Sequence, residues 1–375
     1  MNAQSAKADI PSPLGLLAEL THRCPLACPY CSNSLALEDR QNELDTSIWN
    51  RVFHEAAAMG VLHVHLSGGE PASRRDLTDI VAAAHAAGLY TNLITSSIGL
   101  GFERLRQMKA LGLDHIQLSL QDVDATSADR IAGYRGSHAA KIAFAQSVVE
   151  LGFAFTVNAV IHSANISRVT EMMELAASLG AGRVEIAHAQ YYGWALPNRR
   201  ALMPTREQVA RAMRDVEEVY PRYEGRMLID LVVPDYYARR PKPCVGGWGQ
   251  RSLNVTPSGR VLPCHAAETI PGLQFWSVHD HALEAIWAES PAFQTFRGTE
   301  WMLEPCRSCA LRDSDFGGCR CQALAIAGDA RATDPACELS PHHSLMNRIA
   351  ETDSALAESD YIYRGRRRRA DATPM

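Results

Sequence analysis

Ten cysteines in a chain of 375 residues constrain this sequence more than any other feature, because they fall into two distant groups. Cys24, Cys28 and Cys31 stand together near the start, and seven more run from Cys244 to Cys337. Each group is odd in number, so neither can pair off internally. Disulfides also need an oxidising compartment, and the opening MNAQSAKADIPSP lacks the basic segment and apolar stretch of an export signal. Clustered thiols in such a chain favour metal binding, and a cytoplasmic location is expected. Residues 1–13 read as a short mobile lead-in.

The first group has the spacing C-x3-C-x2-C. Thiolates are soft ligands that suit iron–sulfur clusters or zinc. A structural zinc site wants four ligands, for which His22 could supply the fourth. Three thiolates on a cubane cluster instead leave one iron open to bind something else.

Between the groups, short apolar runs alternate with amphipathic stretches. Candidate strands are 15–20, 61–67, 90–95, 115–120, 155–161 and 183–189, and helix-like stretches between them end at Gly60, Gly88, Gly112, Gly152 and Gly180. Repeated βα units predict an α/β fold with a parallel sheet over residues 14–200. Right-handed crossovers would curl that sheet into a full or partial (β/α)6 barrel, with its site at the C-terminal ends of the strands. The cysteine loop follows the first strand directly. Residues 201–240 break the rhythm and read as a bridge. Residues 241–345 are rich in Cys, Gly and Pro, as expected of a small domain stapled by metal. Residues 346–375 read as a helix and a solvated basic tail ending RGRRRRADATPM.

Composition narrows the function classes. The net charge of −5 gives no basic field for nucleic acid, and no run of about 18 apolar residues predicts a membrane span. The 46% hydrophobic content is enough for a sizeable core.

The loop CPLACPYC resembles the CxxxCxxC signature of the radical S-adenosylmethionine (SAM) superfamily. That resemblance implies that Cys24, Cys28 and Cys31 hold a 4Fe-4S cluster whose open iron binds SAM. Reductive cleavage of SAM would then give a 5′-deoxyadenosyl radical. Tyr30 resembles the aromatic that packs beside the adenine. SGGEP, with Gly68, Gly69 and Glu70, resembles the family's GGEP motif, which hydrogen-bonds the SAM ammonium. Thr95, Ser96, Ser119, Gln121 and Asn158 sit where the family contacts SAM or lines the substrate cavity. For each of these polar residues the plainer reading is a strand-end group satisfied by a nearby loop.

The later cysteines resemble the SPASM extension of peptide-modifying members of the superfamily. The resemblance implies an inner auxiliary site of Cys244, Cys264 and Cys319, with Cys321 as its natural fourth ligand. An outer site would use Cys306, Cys309, Cys337 and, where the pattern has a cysteine, Asp315. One or two auxiliary clusters are therefore expected, 2Fe-2S or 4Fe-4S, with zinc ribbons as the plainer alternative.

The stretches QLSLQDVD, AHAQYYGWALPNR and CVGGWGQRSLNVTPSGRVLPCH resemble the members that act in biosynthesis of pyrroloquinoline quinone (PQQ). The implied activity is an oxidoreductase that cross-links a glutamate and a tyrosine of a precursor peptide, PqqA. The implied partners are that peptide, the small chaperone PqqD and a flavodoxin-type reductant. Sulfatase maturases, thioether maturases and haem-pathway enzymes of the same architecture remain alternatives. A zinc-binding scaffold and a redox sensor that binds SAM are alternatives from other classes. No acid or base is assigned: His65, Gln190, Tyr191 and Tyr192 read as packing or hydrogen-bonding residues near strand ends.

Overall fold

The structure is a computed structural model that describes residues 10–356 and 360–364. The six expected strands form β1 (Gly15–Glu19), β2 (His63–Ser67), β3 (Tyr90–Thr95), β4 (His115–Leu120), β5 (Ala154–Ile161) and β6 (Arg183–His188). Neighbours pair in parallel in sequence order. The crossovers are helices α1 (Thr46–Ala58), α2 (Leu77–Ala86), α3 (Phe102–Ala110), α4 (Ala125–Ala132), α5 (Ser137–Glu150) and α6 (Val169–Ser178). Asp45 caps α1 by accepting from the backbone N–H of Ile48 at 2.9 Å, which satisfies one of the free donors at a helix start. Helix α4 was not anticipated. Asp124 caps it, and Gly133 ends it in a left-handed conformation.

The sheet extends past both predicted edges. Strand β7 (Leu228–Val232), from the segment read as a bridge, pairs in parallel with β6. Strand β8 (Ser252–Val255), from the cysteine-rich region, pairs in parallel with β1 and carries β9 (Val261–Leu262) antiparallel at the edge. The full order is β7-β6-β5-β4-β3-β2-β1-β8-β9. Cys244 and Cys264 flank the β8–β9 hairpin, so its pairing with β1 ties their positions to the strand that leads into the first cysteine loop.

Burial alternates along the strands. Val64 and Leu66 on β2, and Ile116, Leu118 and Leu120 on β4, are fully buried in the main apolar core with α1, α2 and α5. Their neighbours His63, His65, Ser67, His115, Gln117 and Ser119 are only half-buried and face the other side. A parallel sheet covered on both faces by helices would be apolar on both. The polar inner face instead marks a lumen. Leu17, Ser67, Ile94, Ser119, Asn158, Glu185 and Val232, one from each of β1 to β7, all line a single cavity. That convergence requires the sheet to curl, and its edges β7 and β9 leave the barrel open.

Parts of both terminal segments among the described residues pack on the barrel. Ile10 packs against the barrel core, and Pro11 accepts the indole N–H of Trp287 at 3.1 Å. The last helix runs from His343 to Ala355, and beyond it Arg364 is buried, 7% exposed. The reading of a solvated basic tail therefore fails at Arg364, because the backbone turns back onto the barrel there. Residues 1–9 and 365–375 of the lead-in and tail lie outside the described residues.

Candidate active site

The main cavity, of about 500 Å³, opens at the C-terminal ends of the strands. That volume is in the range of pockets for small-molecule ligands. Cys24, Cys28 and Cys31 line it, together with Tyr30, Gly68, Gly69, Thr95, Ser96, Ser119, Gln121 and Asn158. The residues predicted for this site are thus brought to one place, with one exception.

The exception is Glu70, which is fully buried and does not line the cavity. Its carboxylate accepts from Ala72 N (3.0 Å), Thr95 Oγ1 (2.7 Å), Ser96 N (2.6 Å) and Ser96 Oγ (2.6 Å). Burial raises its pKa, against these hydrogen bonds, which lower it. Glu70 therefore spends its acceptors on fixing the end of β3, and Thr95 and Ser96 are the groups exposed to the cavity. The glycines serve a related purpose. A Cβ on Gly68 would collide with the Thr21 carbonyl oxygen, and one on Gly69 with that of Arg23. Gly69 N and Glu70 N donate to the same two carbonyls at 2.5 and 2.7 Å. The close approach allowed by the paired glycines is thus to the chain's own segment entering the cysteine loop.

Three further contacts hold that loop. Ala27 N donates to Ala132 O (2.8 Å), Trp194 N to Cys31 O (2.9 Å) and Asn198 Nδ2 to Pro29 O (3.1 Å). Tyr30 is half-buried with its hydroxyl accepting from Gln121 Nε2 at 3.0 Å, and its ring lies 5.6 Å from that of His162. His22, the side chain that could complete a four-ligand zinc site, is turned away. Its Nδ1 accepts from Glu38 N at 2.9 Å and its Nε2 faces Glu19 at 3.7 Å.

Electrostatics fit these thiols to metal. Burial pushes Cys24 up to about 12 and Cys28 up to about 11, with each other's charge adding for Cys24. Such thiols stay protonated in neutral water unless a cation draws the proton off, as a bound metal does. Lys141 is also buried beside them, donating to Ser119 O (2.7 Å) and Gln121 Oε1 (2.6 Å). Burial lowers its pKa to about 8. All ten cysteines are free, as the metal reading expects and the disulfide alternative does not.

The later cysteines form two sets. Cys244 is within hydrogen-bonding reach of Cys264 and Cys319, and Cys319 of Cys321. These mutual contacts head the causes that raise the pKa of all three of Cys244, Cys319 and Cys321. Pairwise contacts thus link the four thiols in the order Cys264, Cys244, Cys319, Cys321, and cysteine thiolates are the ligands of iron–sulfur clusters. Cys306, Cys309, Asp315 and Cys337 line a second, small opening. Asp315 Oδ1 accepts from Gly317 N at 2.9 Å, and its side chain shares the opening with the three thiols.

A second cavity, of about 400 Å³ and mainly apolar, lies between the barrel mouth and the inner four-cysteine set. It shares Ser32, Gln190, Tyr192 and His265 with the first cavity and reaches Cys319 and Cys321. Tyr192 and His265 meet at this wall, Oη to Nε2, at 2.9 Å. Tyr192 and Gln190 therefore face both cavities, whereas His65 hydrogen-bonds Asn92 in the lumen at 2.9 Å. Tyr191 packs edge to face on Tyr236. Sequence reasoning missed Lys141, His265 and Arg364. For His265 the signal was its place directly after Cys264. Lys141 and Arg364 carry none, since only the fold brings them to the loop.

Residues 18–176 match the radical SAM superfamily model, and residues 244–310 match that of SPASM, an iron–sulfur cluster-binding domain. The chain is 60% identical to the PqqA peptide cyclase of Methylobacterium nodulans over 95% of this chain and 94% of that one. It is also 60% identical to the PqqA peptide cyclase of Methylocella silvestris, over 96% and 98%. The chain belongs to the PqqA peptide cyclase family of radical SAM enzymes. A solved structure of Streptococcus suis SuiB bound to its precursor peptide SuiA shares the fold, with a TM-score of 0.72 at 19% identity over 88% of this chain and 77% of that one. SAM and iron–sulfur clusters are accordingly the cofactors of this family member. Among the described residues, no helix is long and apolar enough to cross a membrane.

Proposed function

We propose that this chain forms a carbon–carbon bond between the side chains of a glutamate and a tyrosine in a PqqA-type precursor peptide. The observation that carries the reading is the junction of two cavities. One is lined by three free cysteines, and the other, mainly apolar, runs from it to Cys319 and Cys321. We assign Cys24, Cys28 and Cys31 to a SAM-binding 4Fe-4S cluster. Cys244, Cys264, Cys319 and Cys321 are assigned to an inner auxiliary cluster, and Cys306, Cys309, Asp315 and Cys337 to an outer one. When bound, the first cluster with SAM supplies a carbon-centred radical able to take hydrogen from the glutamate, and the auxiliary clusters supply electron transfer.

The chain's own residues position and shield. Gly68, Gly69, Thr95, Ser96, Ser119, Gln121 and Asn158 offer the polar groups for SAM, with Tyr30 held over its cavity by Gln121. Glu70 acts behind them by locking Thr95 and Ser96. Leu35, Leu196, Tyr191, Tyr236 and Leu324 give the second cavity the apolar wall that keeps water from a reactive peptide radical. His265, whose pKa burial lowers, stays neutral and can hold a proton at Nε2, shared with Tyr192. The reading includes a cytoplasmic setting, presentation of the peptide by a PqqD-type chaperone and electrons from a flavodoxin-type reductant.

The test is anaerobic turnover with the precursor peptide, SAM and reductant, followed by mass spectrometry. The expected product has lost two hydrogens and yields fragments that link one glutamate to one tyrosine. A peptide returned unchanged, or altered at a cysteine or serine, would overturn the assignment. Replacing Cys24, Cys28 and Cys31 together with alanine should remove about four irons per chain and all 5′-deoxyadenosine formation.

A further inference from the structure

The segment Asp360–Arg364 returns from the last helix to the first cysteine loop, where nothing in the sequence pattern calls for it. Asn198 clasps it from both sides. Ile362 N donates to Asn198 Oδ1 at 2.7 Å, and Asn198 Nδ2 donates to Ile362 O at 2.8 Å and to Pro29 O in the loop. Tyr363 donates its hydroxyl proton to Arg130 O at 2.9 Å. Arg364 then grips the loop at two points. Its backbone N–H donates to Ala27 O at 3.2 Å, and its Nη2 donates to His22 O. These two carbonyls bracket Cys24.

Arg364 is buried, and it lines the main cavity. It is the only arginine or lysine among the described residues lining that cavity. Its Nε has no hydrogen-bond partner among the described residues. A buried, unpaired guanidinium donor costs free energy unless an anion or acceptor comes to it. Lys141 differs in having its donors already taken by Ser119 and Gln121.

We propose that Arg364 is a positioning residue for the site at Cys24, Cys28 and Cys31. The C-terminal segment brings it back to clamp the cysteine loop, and its guanidinium sets a positive charge beside the reducible, anionic cluster held there. The proposal rests on the cluster assignment above. A cation close to a cluster favours its reduced, more negative state, so it raises the midpoint potential. The clamp opposes opening of the loop and loss of iron.

The experiment uses the full-length holoenzyme, reconstituted anaerobically, with Arg364→Gln and Arg364→Lys variants. Two quantities are read. One is the midpoint potential of the cluster whose electron paramagnetic resonance signal responds to SAM. The other is the rate of iron release from that cluster to a chelator. Arg364→Gln should shift the potential downward and release iron roughly tenfold faster, the size of one charge-assisted hydrogen bond. Arg364→Lys keeps the charge and should hold the potential near that of the parent. A purely structural role would move both variants equally, and that result overturns the charge assignment. Parent-like potential and release in Arg364→Gln overturn the whole proposal while leaving the enzyme reading intact. A parent chain that takes up no SAM-responsive cluster removes both.

Discussion

At the barrel mouth, Cys24, Cys28 and Cys31 hang from a loop tied by backbone hydrogen bonds to β2, α4 and the segment around Asn198. In the C-terminal region, Cys244, Cys264, Cys319 and Cys321 contact one another in pairs, Cys321 Sγ donates to Ala266 O and Cys319 N donates to Asp334. The barrel loop rests on an apolar core that runs through Trp49, Phe53, Leu66, Ile80 and Leu118 without any cysteine. The second apolar cluster is small, and it counts Cys244 and Cys321 among its buried members, with Cys264 and Cys319 packed against it. On the proposed cluster assignments, metal has a different task in each place. In the barrel it is cargo on a finished fold, and in the C-terminal region it is part of what holds the fold together.

Stripping all metal is the strongest way to break this comparison. Hydrogen exchange after chelation should show protection between residues 264 and 337 falling by roughly a hundredfold, while β2 to β6 stay protected. Equal loosening of both regions would show that the barrel depends on metal as well.

Asp315 sharpens the comparison within the C-terminal region. Asp315→Ala should lose the outer cluster's iron but leave the SAM-responsive cluster intact, whereas Asp315→Cys should retain both by iron analysis. Full iron in Asp315→Ala would make the residue a loop carboxylate that only bonds Gly317.

The smallest effect concerns acid stability of the barrel. Burial holds His162 and His188 near about 4, below their ordinary value of 6.5. Between those values the unfolded chain binds more protons than the folded one, so stability rises with pH through that window and is lost as pH falls from 6.5 toward 4. His162→Gln cannot take up the proton and should flatten the slope by about 1–3 kcal/mol across the window. Urea unfolding of the metal-free chain at pH 4.5 and 7 measures it, and an unchanged slope would mean that His162 protonates freely in the folded state.

The parallel βα order, the six inner strands and the three-cysteine loop were legible because each rests on local pattern: alternation, glycine stops and thiol spacing. The reading that groups Cys244, Cys264, Cys319 and Cys321 rests on resemblance alone, since nothing in their spacing relates residue 244 to residue 321. Strand β7 was read as a bridge because LIDLV sits among charged and proline-rich stretches that hide a strand. Strand β8 was missed because its partner, β1, lies more than two hundred residues away.

By itself, the sequence determined that this chain carries free, metal-directed thiols on a βα scaffold, because ligand chemistry and periodicity are properties of neighbouring residues. Tertiary structure alone decided that Glu70 stands behind the cavity, that Tyr192 meets His265 between two cavities, and that Arg364 returns to the first loop. Each of these depends on which distant backbones pack together, and burial then sets the charge state and free donors of the groups they enclose.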